Sequence, residues 1–332
     1  MSVFIIAEIA QAHDGSLGIL HSYIDAVADT GVDAVKFQTH IAIAESSIYE
    51  PFRIKFSYED KTRFDYWKRM EFTLSQWKEI KRHCDEKGLL FLSSPFSTTA
   101  VDLLEAVGVE KYKIGSGEVN NFLLLEKIAK TGKDIILSSG MSSYQELDDA
   151  VGFLGSYDSN FSILQCSTQY PALPENIGIN VLSEMKERYS CPVGLSDHSG
   201  TIFPSIAAVA LGAQVIEVHT VFDKKMFGPD TSSSLTIDSL SQMVDGIRFI
   251  EKASSNVDKS DNSQYKELKK IFEKSLAVNK NLSAGHKLTF DDLEAKKPFG
   301  YGIQSKDYKE VIGKKLKRSM IKYEFLNTED IL

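Results

Sequence analysis

The chain has 332 residues, 42% hydrophobic and 25% charged, with a formal net charge of −8. That is enough for one large core plus a small domain. The acidic balance argues against nonspecific binding to nucleic acid or anionic membranes, while leaving room for a local basic pocket. Three cysteines, Cys84, Cys166 and Cys191, fit a reduced, cytoplasmic chain with no disulfide framework. Met1–Ile9 lacks a basic leader and soon turns polar, so no signal peptide is expected, and no apolar run reaches membrane-spanning length.

Short apolar or β-branched runs recur along the chain at Val3–Glu8, Asp33–Gln38, Leu89–Ser93, Lys111–Ile114, Asp134–Leu137, Phe161–Cys166, Pro192–Ser196 and Gln214–His219. Each is bounded by turn residues and followed by an amphipathic segment, as βα units require. In the first such segment Leu17, Leu20, Ile24, Val27 and Ala28 recur at helical spacing, with Gly31 expected as C-cap. Thr73 with Gln76 and Ser143 with Glu146 stand in capping-box register, and Gly88 is expected to end the former helix. A further helix is expected over Pro204–Leu211. Eight βα units in about the first 250 residues predict an α/β fold, a (β/α)8 TIM barrel. The missing early Gly-x-Gly-x-x-Gly fingerprint argues against an open doubly wound sheet.

Between the second and third runs lies an insertion rich in aromatics and charges, including Phe52, Arg53, Phe56, Arg63, Tyr66 and Trp67. Interleaved Glu50, Glu59, Asp60 and Asp65 argue against a nucleic-acid platform. A loop over the barrel mouth, shaping a pocket or a subunit contact, is expected instead. Ser254–Asn262 is Ser/Asp/Asn-rich and reads as linker. The expected division is a barrel over 1–252, a linker and helix over 253–273 (the helix near Tyr265–Glu273), and a small β-rich domain over 274–332. The segment Lys296–Ile303 is too rich in glycine and proline for a helix.

Barrel enzymes place their chemistry at the carboxyl ends of the strands. Those ends carry Glu8; Lys36 and Gln38; Ser94 and Phe96; Lys113, Ser116 and Glu118; Ser138; Thr168 and Tyr170; Ser196, Asp197 and His198; and Glu217 and His219. His198 and His219 close consecutive runs, so their imidazoles should stand side by side and could share one divalent metal. Asp197 and Glu217 would then be further ligands or would support them. Lysines ending buried strands are costly unless paired. Lys36 and Lys113 are therefore either bridged to carboxylates such as Glu8 and Glu118, or they hold an anion. Hydroxyls around them favour a phosphate and carboxylate pocket. Cys166 is expected to be packing.

In order through the chain, the motifs Ala7-Glu8-Ile9 with His13-Asp14-Gly15, Val35-Lys36-Phe37-Gln38, Ser93-Ser94-Pro95-Phe96, Tyr112–Glu118, Leu137–Met141, Cys166–Pro171, Gly194–Ser199, Ile216–His219 and Gly228-Pro229-Asp230 resemble the sialic acid synthase family. These are phosphoenolpyruvate-dependent nonulosonic acid synthases. The tail, Ser275–Val278, Asn281–Leu288 and Asp291–Leu293, resembles the antifreeze-like (SAF) domain that ends them. The resemblance implies a metal-dependent, C–C bond-forming transferase that joins phosphoenolpyruvate to a six-carbon amino sugar. It implies Mn2+, with Mg2+ or Co2+ as substitutes, on His198 and His219. It places phosphoenolpyruvate on Lys36, Ser94, Lys113, Ser116, Ser138, Thr168 and Ser196. It places the sugar near Gln38, Phe96, Glu118, Tyr170, Asp230 and Lys297. Glu8 is the implied handler of the water proton, with Glu217 and Asp230 as rivals. A domain-swapped homodimer, in which Lys297 reaches the partner's sugar pocket, is implied as well.

Four positions depart from the family pattern. Ala12 stands for its Asn, Val218 for its Lys, Thr231 for its His and Lys297 for its Arg. Lysine lacks the planar fork of arginine, so the sugar and its acetamido group are what these changes touch. The rival functions are condensation with another aldose, a sugar-binding pseudoenzyme, and a Schiff-base aldolase. The aldolase is disfavoured because hydroxyl neighbours around Lys113 suit anion binding better than a depressed amine.

Overall fold

The computed structural model describes residues 2–54, 56–254 and 257–332. Ser255 and Asn256 of the expected linker lie outside the described residues. The chain divides into two compact units, Met1–Ser255 and Asn256–Leu332.

In the first unit the strands are β1 (Phe4–Glu8), β2 (Ala34–Thr39), β3 (Leu90–Pro95), β4 (Lys111–Ile114), β5 (Asp134–Ser138), β6 (Phe161–Cys166), β7 (Val193–Asp197) and β8 (Val215–Val221). Each pairs in parallel with the next, and β1 also pairs with β8, which closes the barrel. A two-residue β9 (Leu235–Thr236) extends the far end of β8. The register is set by burial on both faces. Ile6, Ala34, Leu92, Ile136, Leu164 and Val215 form one apolar cluster, while a second, larger core includes Ile5, Val35, Phe37, Phe91, Leu137 and Ile216. Adjacent residues belong to different clusters, as period-2 alternation demands. The first cluster is the barrel floor. Two residues further along the same strand faces come Glu8, Lys36, Ser94, Ser138, Cys166, Ser196 and Glu217. One inward stripe therefore runs from apolar floor to polar mouth. Gly194 belongs to that stripe, and a Cβ there would meet the Val215 carbonyl oxygen at 2.1 Å.

The helices follow their caps. Ser16 caps α1 (Leu17–Ala28) through the Ile19 amide. This helix ends at Asp29, so Gly31 lies two residues beyond the position expected of it. The insertion folds into α2 (Ala42–Glu45) and α3 (Arg63–Met70), the latter with a Thr62–Asp65 capping box. Thr73 and Gln76 cap α4 (Leu74–Glu86), and Gly88 follows it with φ +72°, a value that suits glycine. Ser143 and Glu146 cap the helix Tyr144–Gly155. The expected Pro204–Leu211 helix spans Phe203–Ala210.

In the second unit β10 (Ser275–Val278) pairs antiparallel with β11 (Leu293–Lys296) over a core that includes Leu276, Val278, Leu288, Val311, Met320 and Leu326. The helix expected near Tyr265–Glu273 spans Lys266–Phe272. Residues 297–303 form bends and a turn with no helix, with a cis Lys297–Pro298 bond.

Candidate active site

A cavity of about 410 Å³ opens at the carboxyl ends of the barrel strands. At its base lies a buried ionic layer. Lys36 Nζ stands 2.6 Å from Glu8 and 3.7 Å from Glu217, and Lys113 Nζ stands 2.8 Å from the same Glu217 oxygen. Removing any one partner leaves a buried charge without its counter-charge. Burial by itself would raise the Glu217 carboxyl, but Lys113 and Lys36 hold it well below the usual carboxylate range. Burial would likewise lower Lys36, yet Glu217 and Glu8 together outweigh it and the net direction is up. Lys113 has only Glu217, plus repulsion from Lys36, so burial wins and its amine is lowered. Two corrections follow. The carboxylate that bridges Lys113 is Glu217, not Glu118, and the Lys113 amine is depressed where the sequence argued against it.

Hydroxyls complete this layer. Ser94 Oγ accepts from Lys36 at 3.4 Å, and Ser196 Oγ donates to Glu217 at 3.1 Å. Ser116 Oγ accepts from the Gly140 amide at 3.1 Å. Ser138 Oγ is buried and finds no partner among the described residues, a site that an anionic oxygen would satisfy. Thr168 lines the same wall. Cys166 lines it too, with Sγ 3.5 Å from Ser116 Oγ, and is buried as the sequence led one to expect. Burial raises its thiol, which disfavours a reactive thiolate.

His198 and His219 meet as their strands predicted, with ring centroids 5.0 Å apart. The Nδ1 of His198 faces the Ser167 carbonyl oxygen at 2.9 Å. That contact fixes the tautomer and leaves Nε2 free, the arrangement common among metal-ligating histidines. Burial, with His219 adding to it, holds the His198 imidazole down to about 3, so it is neutral and able to ligate. Among the described residues no group of three or more His, Cys, Asp or Glu side chains is placed to hold a metal. The donor set there is the two imidazoles of His198 and His219, which could hold a divalent metal. Asp197 is not part of it. Its carboxylate accepts from the Ser199 amide and hydroxyl and from Ser205, which turns it away from the cavity.

The mouth is built by segments outside the strands. Tyr170 packs on His198 at 4.3 Å between centroids, and the Arg53 guanidinium lies 4.2 Å over the Tyr170 ring. Arg53 also pairs with Asp230 at 2.6 Å, which ties the insertion to the loop after β8. Arg63 pairs with Glu50 at 2.9 Å and lies over Trp67. Phe96, Tyr66, Trp67 and half-buried Glu118 complete the wall, and burial raises the Glu118 carboxyl. Gln38 also lines the cavity and donates to Glu8 at 3.0 Å. Glu8 itself sits fully buried behind Gln38 and Lys36. Lys297 belongs to the second unit, where its ammonium lies 5.0 Å from the Phe272 ring centroid.

Sequence reasoning missed Gln11, His40 and Glu45, which also line the cavity. The available signal was a polar run continuing past β2, Gln38-Thr39-His40, where a strand end predicts site residues.

Residues 23–259 match the NeuB family and residues 273–332 the SAF domain. Over 317 residues the chain is 37% identical to the N,N'-diacetyllegionaminic acid synthase of Campylobacter jejuni, covering 93% of this chain and 94% of that protein. It is 33% identical to human N-acetylneuraminate-9-phosphate synthase, covering 94% and 88%. The crystal structure of an N-acetylneuraminic acid synthetase from Leptospira borgpetersenii, in complex with citrate, superposes with a TM-score of 0.72 at 31% identity, covering 81% of this chain and 90% of that one.

Proposed function

The chain belongs to the NeuB family, and from that premise we propose that it condenses phosphoenolpyruvate with a six-carbon amino sugar and water, giving a nine-carbon 3-deoxy-ulosonic acid and phosphate. The observation that carries this reading is the buried layer of two lysines sharing Glu217, ringed by serine hydroxyls, at the base of a cavity whose mouth is aromatic and mixed in charge. Phosphoenolpyruvate brings up to about three negative charges, which Lys36 and Lys113 oppose at short range. Ser94, Ser116, Ser138, Thr168 and Ser196 supply hydroxyl partners. His198 and His219 would hold one divalent metal, Mn2+ with Mg2+ or Co2+ as substitutes, which when bound acts as a Lewis acid on the open-chain sugar aldehyde.

In the reaction the methylene carbon of phosphoenolpyruvate bonds to the aldehyde carbon, whose oxygen takes up a proton. Water then adds at the cationic carbon bearing the phosphate. Glu8, fully buried behind Gln38 and Lys36, is the carboxylate assigned to the water proton. The C–O bond to phosphate breaks and leaves the 2-keto acid. Glu217 serves as counter-charge and not as base, because the two lysines lower its affinity for a proton. Asp230 is engaged by Arg53 and orders the mouth.

The mouth also bears on which sugar enters. Among its described residues, Arg53 and Arg63 are already matched by Asp230 and Glu50, and Glu45 and Glu118 add further acid. That suits a sugar without a phosphate of its own, a diacetamido-dideoxyhexose or an N-acetylmannosamine-like hexose. We further propose a domain-swapped homodimer with Lys297 near the sugar, and a cytoplasmic site for the reaction, in keeping with three free cysteines. No helix among the described residues is long and apolar enough to cross a membrane.

The test is phosphate release from phosphoenolpyruvate with Mn2+ and a panel of acetamido and diacetamido hexoses, some 6-phosphorylated. Turnover confined to unphosphorylated amino sugars is expected. Turnover only with other aldoses, or with no sugar at all, would overturn the proposal. Sedimentation should show a dimer, and Lys297→Ala should lose sugar turnover while retaining phosphoenolpyruvate binding.

A further inference from the structure

Beneath the insertion a chain of polar contacts ends on Glu8, and its far members, Glu45, His40 and Gln11, have no role in the reaction scheme above. Glu45, on α2, sets its Oε1 2.6 Å from His40 Nδ1. The imidazole is 4% exposed and lies between two aromatic rings. Trp67 stacks at 3.9 Å with 16° between planes, and Phe96 at 4.6 Å with 8°. On its other edge Nε2 stands 2.9 Å from Gln11 Nε2 and 3.2 Å from Gln38 Oε1. Gln11 Nε2 donates to Gln38 Oε1, and Gln38 Nε2 donates to Glu8 Oε1 at 3.0 Å.

Each partner in this chain fixes the next. A carboxylate only accepts, so Glu8 requires the amide NH2 of Gln38 to face it. Gln38 Oε1 then points back and must accept, which requires the NH2 of Gln11. The same NH2 can donate to His40 Nε2 only if that nitrogen carries no hydrogen. The hydrogen must then sit on Nδ1, where Glu45 accepts it. The opposite tautomer would set Nε2–H against the Gln11 NH2 at 2.9 Å, whereas the Nδ1–H tautomer leaves only the longer 3.2 Å approach of Nε2 to Gln38 Oε1 without a hydrogen between them.

We propose that His40, held by Glu45 and clamped by Trp67 and Phe96, is a positioning residue. It fixes the amides of Gln11 and Gln38, and through them the orientation of Glu8, the group assigned above to the water proton. The inference rests on that assignment and extends it. Glu45 and Trp67 both come from the insertion that forms the mouth, so the insertion organises the proton acceptor as well as shaping the sugar pocket.

The test uses the full chain with Mn2+, phosphoenolpyruvate and whichever hexose the screen selects. His40→Phe keeps an aromatic ring between Trp67 and Phe96 and removes both nitrogens. It should lower kcat by roughly 10- to 100-fold, the range seen when groups supporting a reactive residue are lost. The phosphoenolpyruvate Kd should stay within about twofold by calorimetry, as a defect in orienting the proton acceptor and not in binding implies. Glu45→Ala should lower kcat in the same way. Glu45→Gln, which keeps an acceptor, should recover most of that loss. Nitrogen-15 spectra should show His40 as the Nδ1–H tautomer in the wild type and mixed in Glu45→Ala. Wild-type kcat in both His40→Phe and Glu45→Ala, or an Nε2–H tautomer in the wild type, would overturn the proposal. So would losses matched by an equal loss of phosphoenolpyruvate affinity. If His40→Phe fails to fold, Glu45→Ala and the spectra decide alone. If the wild type releases no phosphate with any sugar, the function fails instead, and the tautomer measurement still reads the network.

Discussion

The two ends of the cavity are made in different ways. The base is borne on strands: Glu8, Lys36, Lys113, Ser138, Ser196 and Glu217 project from the barrel wall and are 0–3% exposed. The mouth is borne on connections: Glu45, Glu50, Arg53, Arg63, Tyr66 and Trp67 come from the insertion after β2, and Asp230 from the loop after β8. At the base each charge is locked by close neighbours in a dry layer, so electrostatic effects there are large and poorly screened. At the mouth the pairs are partly exposed, with 37% of the Arg53 side chain open to solvent, and each is worth less.

The largest effect is expected at the histidine pair between the two ends. EDTA, or the double variant His198→Ala, His219→Ala, should lower phosphate release by roughly a thousandfold or more, taking a Lewis acid as worth several kcal/mol. Mn2+ should restore the chelated wild type but not the variant. Full activity in the double variant would break the comparison at its centre.

Next in size is Lys113→Met. It should weaken phosphoenolpyruvate binding by about 2–5 kcal/mol, the cost of truncating one partner of a buried, hydrogen-bonded charge pair. Calorimetry on the still-folded variant checks this. Unchanged affinity would mean that the base does not hold the anion.

At the mouth a smaller loss is expected. Arg53→Ala should raise the sugar KM by roughly tenfold, about 1.4 kcal/mol, through the lost ion pair and ring contact. The phosphoenolpyruvate Kd should not move. Equal effects on both substrates would mean that the two ends are not separable.

The smallest effect concerns acid stability. His13, in the loop after β1, is held down to about 3, chiefly by burial, against an ordinary value of 6.5. Between those values the unfolded chain takes up a proton that the folded chain does not. Stability is therefore lost as pH falls from about 6.5 toward 3, at a limiting slope of roughly 1.4 kcal/mol per pH unit. At pH 5.5 His13→Asn should have lost about 1.4 kcal/mol less than wild type relative to pH 7.5, read from urea midpoints. Parallel pH curves for the two proteins would remove His13 as the cause.

What the sequence determined by itself is the strand-borne part. Period-2 alternation with a βα repeat sets which residues point into the barrel. Lys36 and Lys113 could therefore be assigned to the carboxyl ends of the strands, and His198 and His219 to one pair, from spacing and resemblance. Only the tertiary structure decided who partners whom. Lys113 meets Glu217, over a hundred positions away, and not the nearby Glu118, because barrel closure brings opposite strands together. Asp197 sits beside a candidate metal ligand in sequence, yet alternation and the turn after β7 direct it to Ser199 and Ser205. The insertion obeys no repeat. Its composition marked it as a wall of the cavity, but the pairing of Arg53 with Asp230 and the seating of His40 between Trp67 and Phe96 follow from packing between connections, which no spacing along the chain encodes.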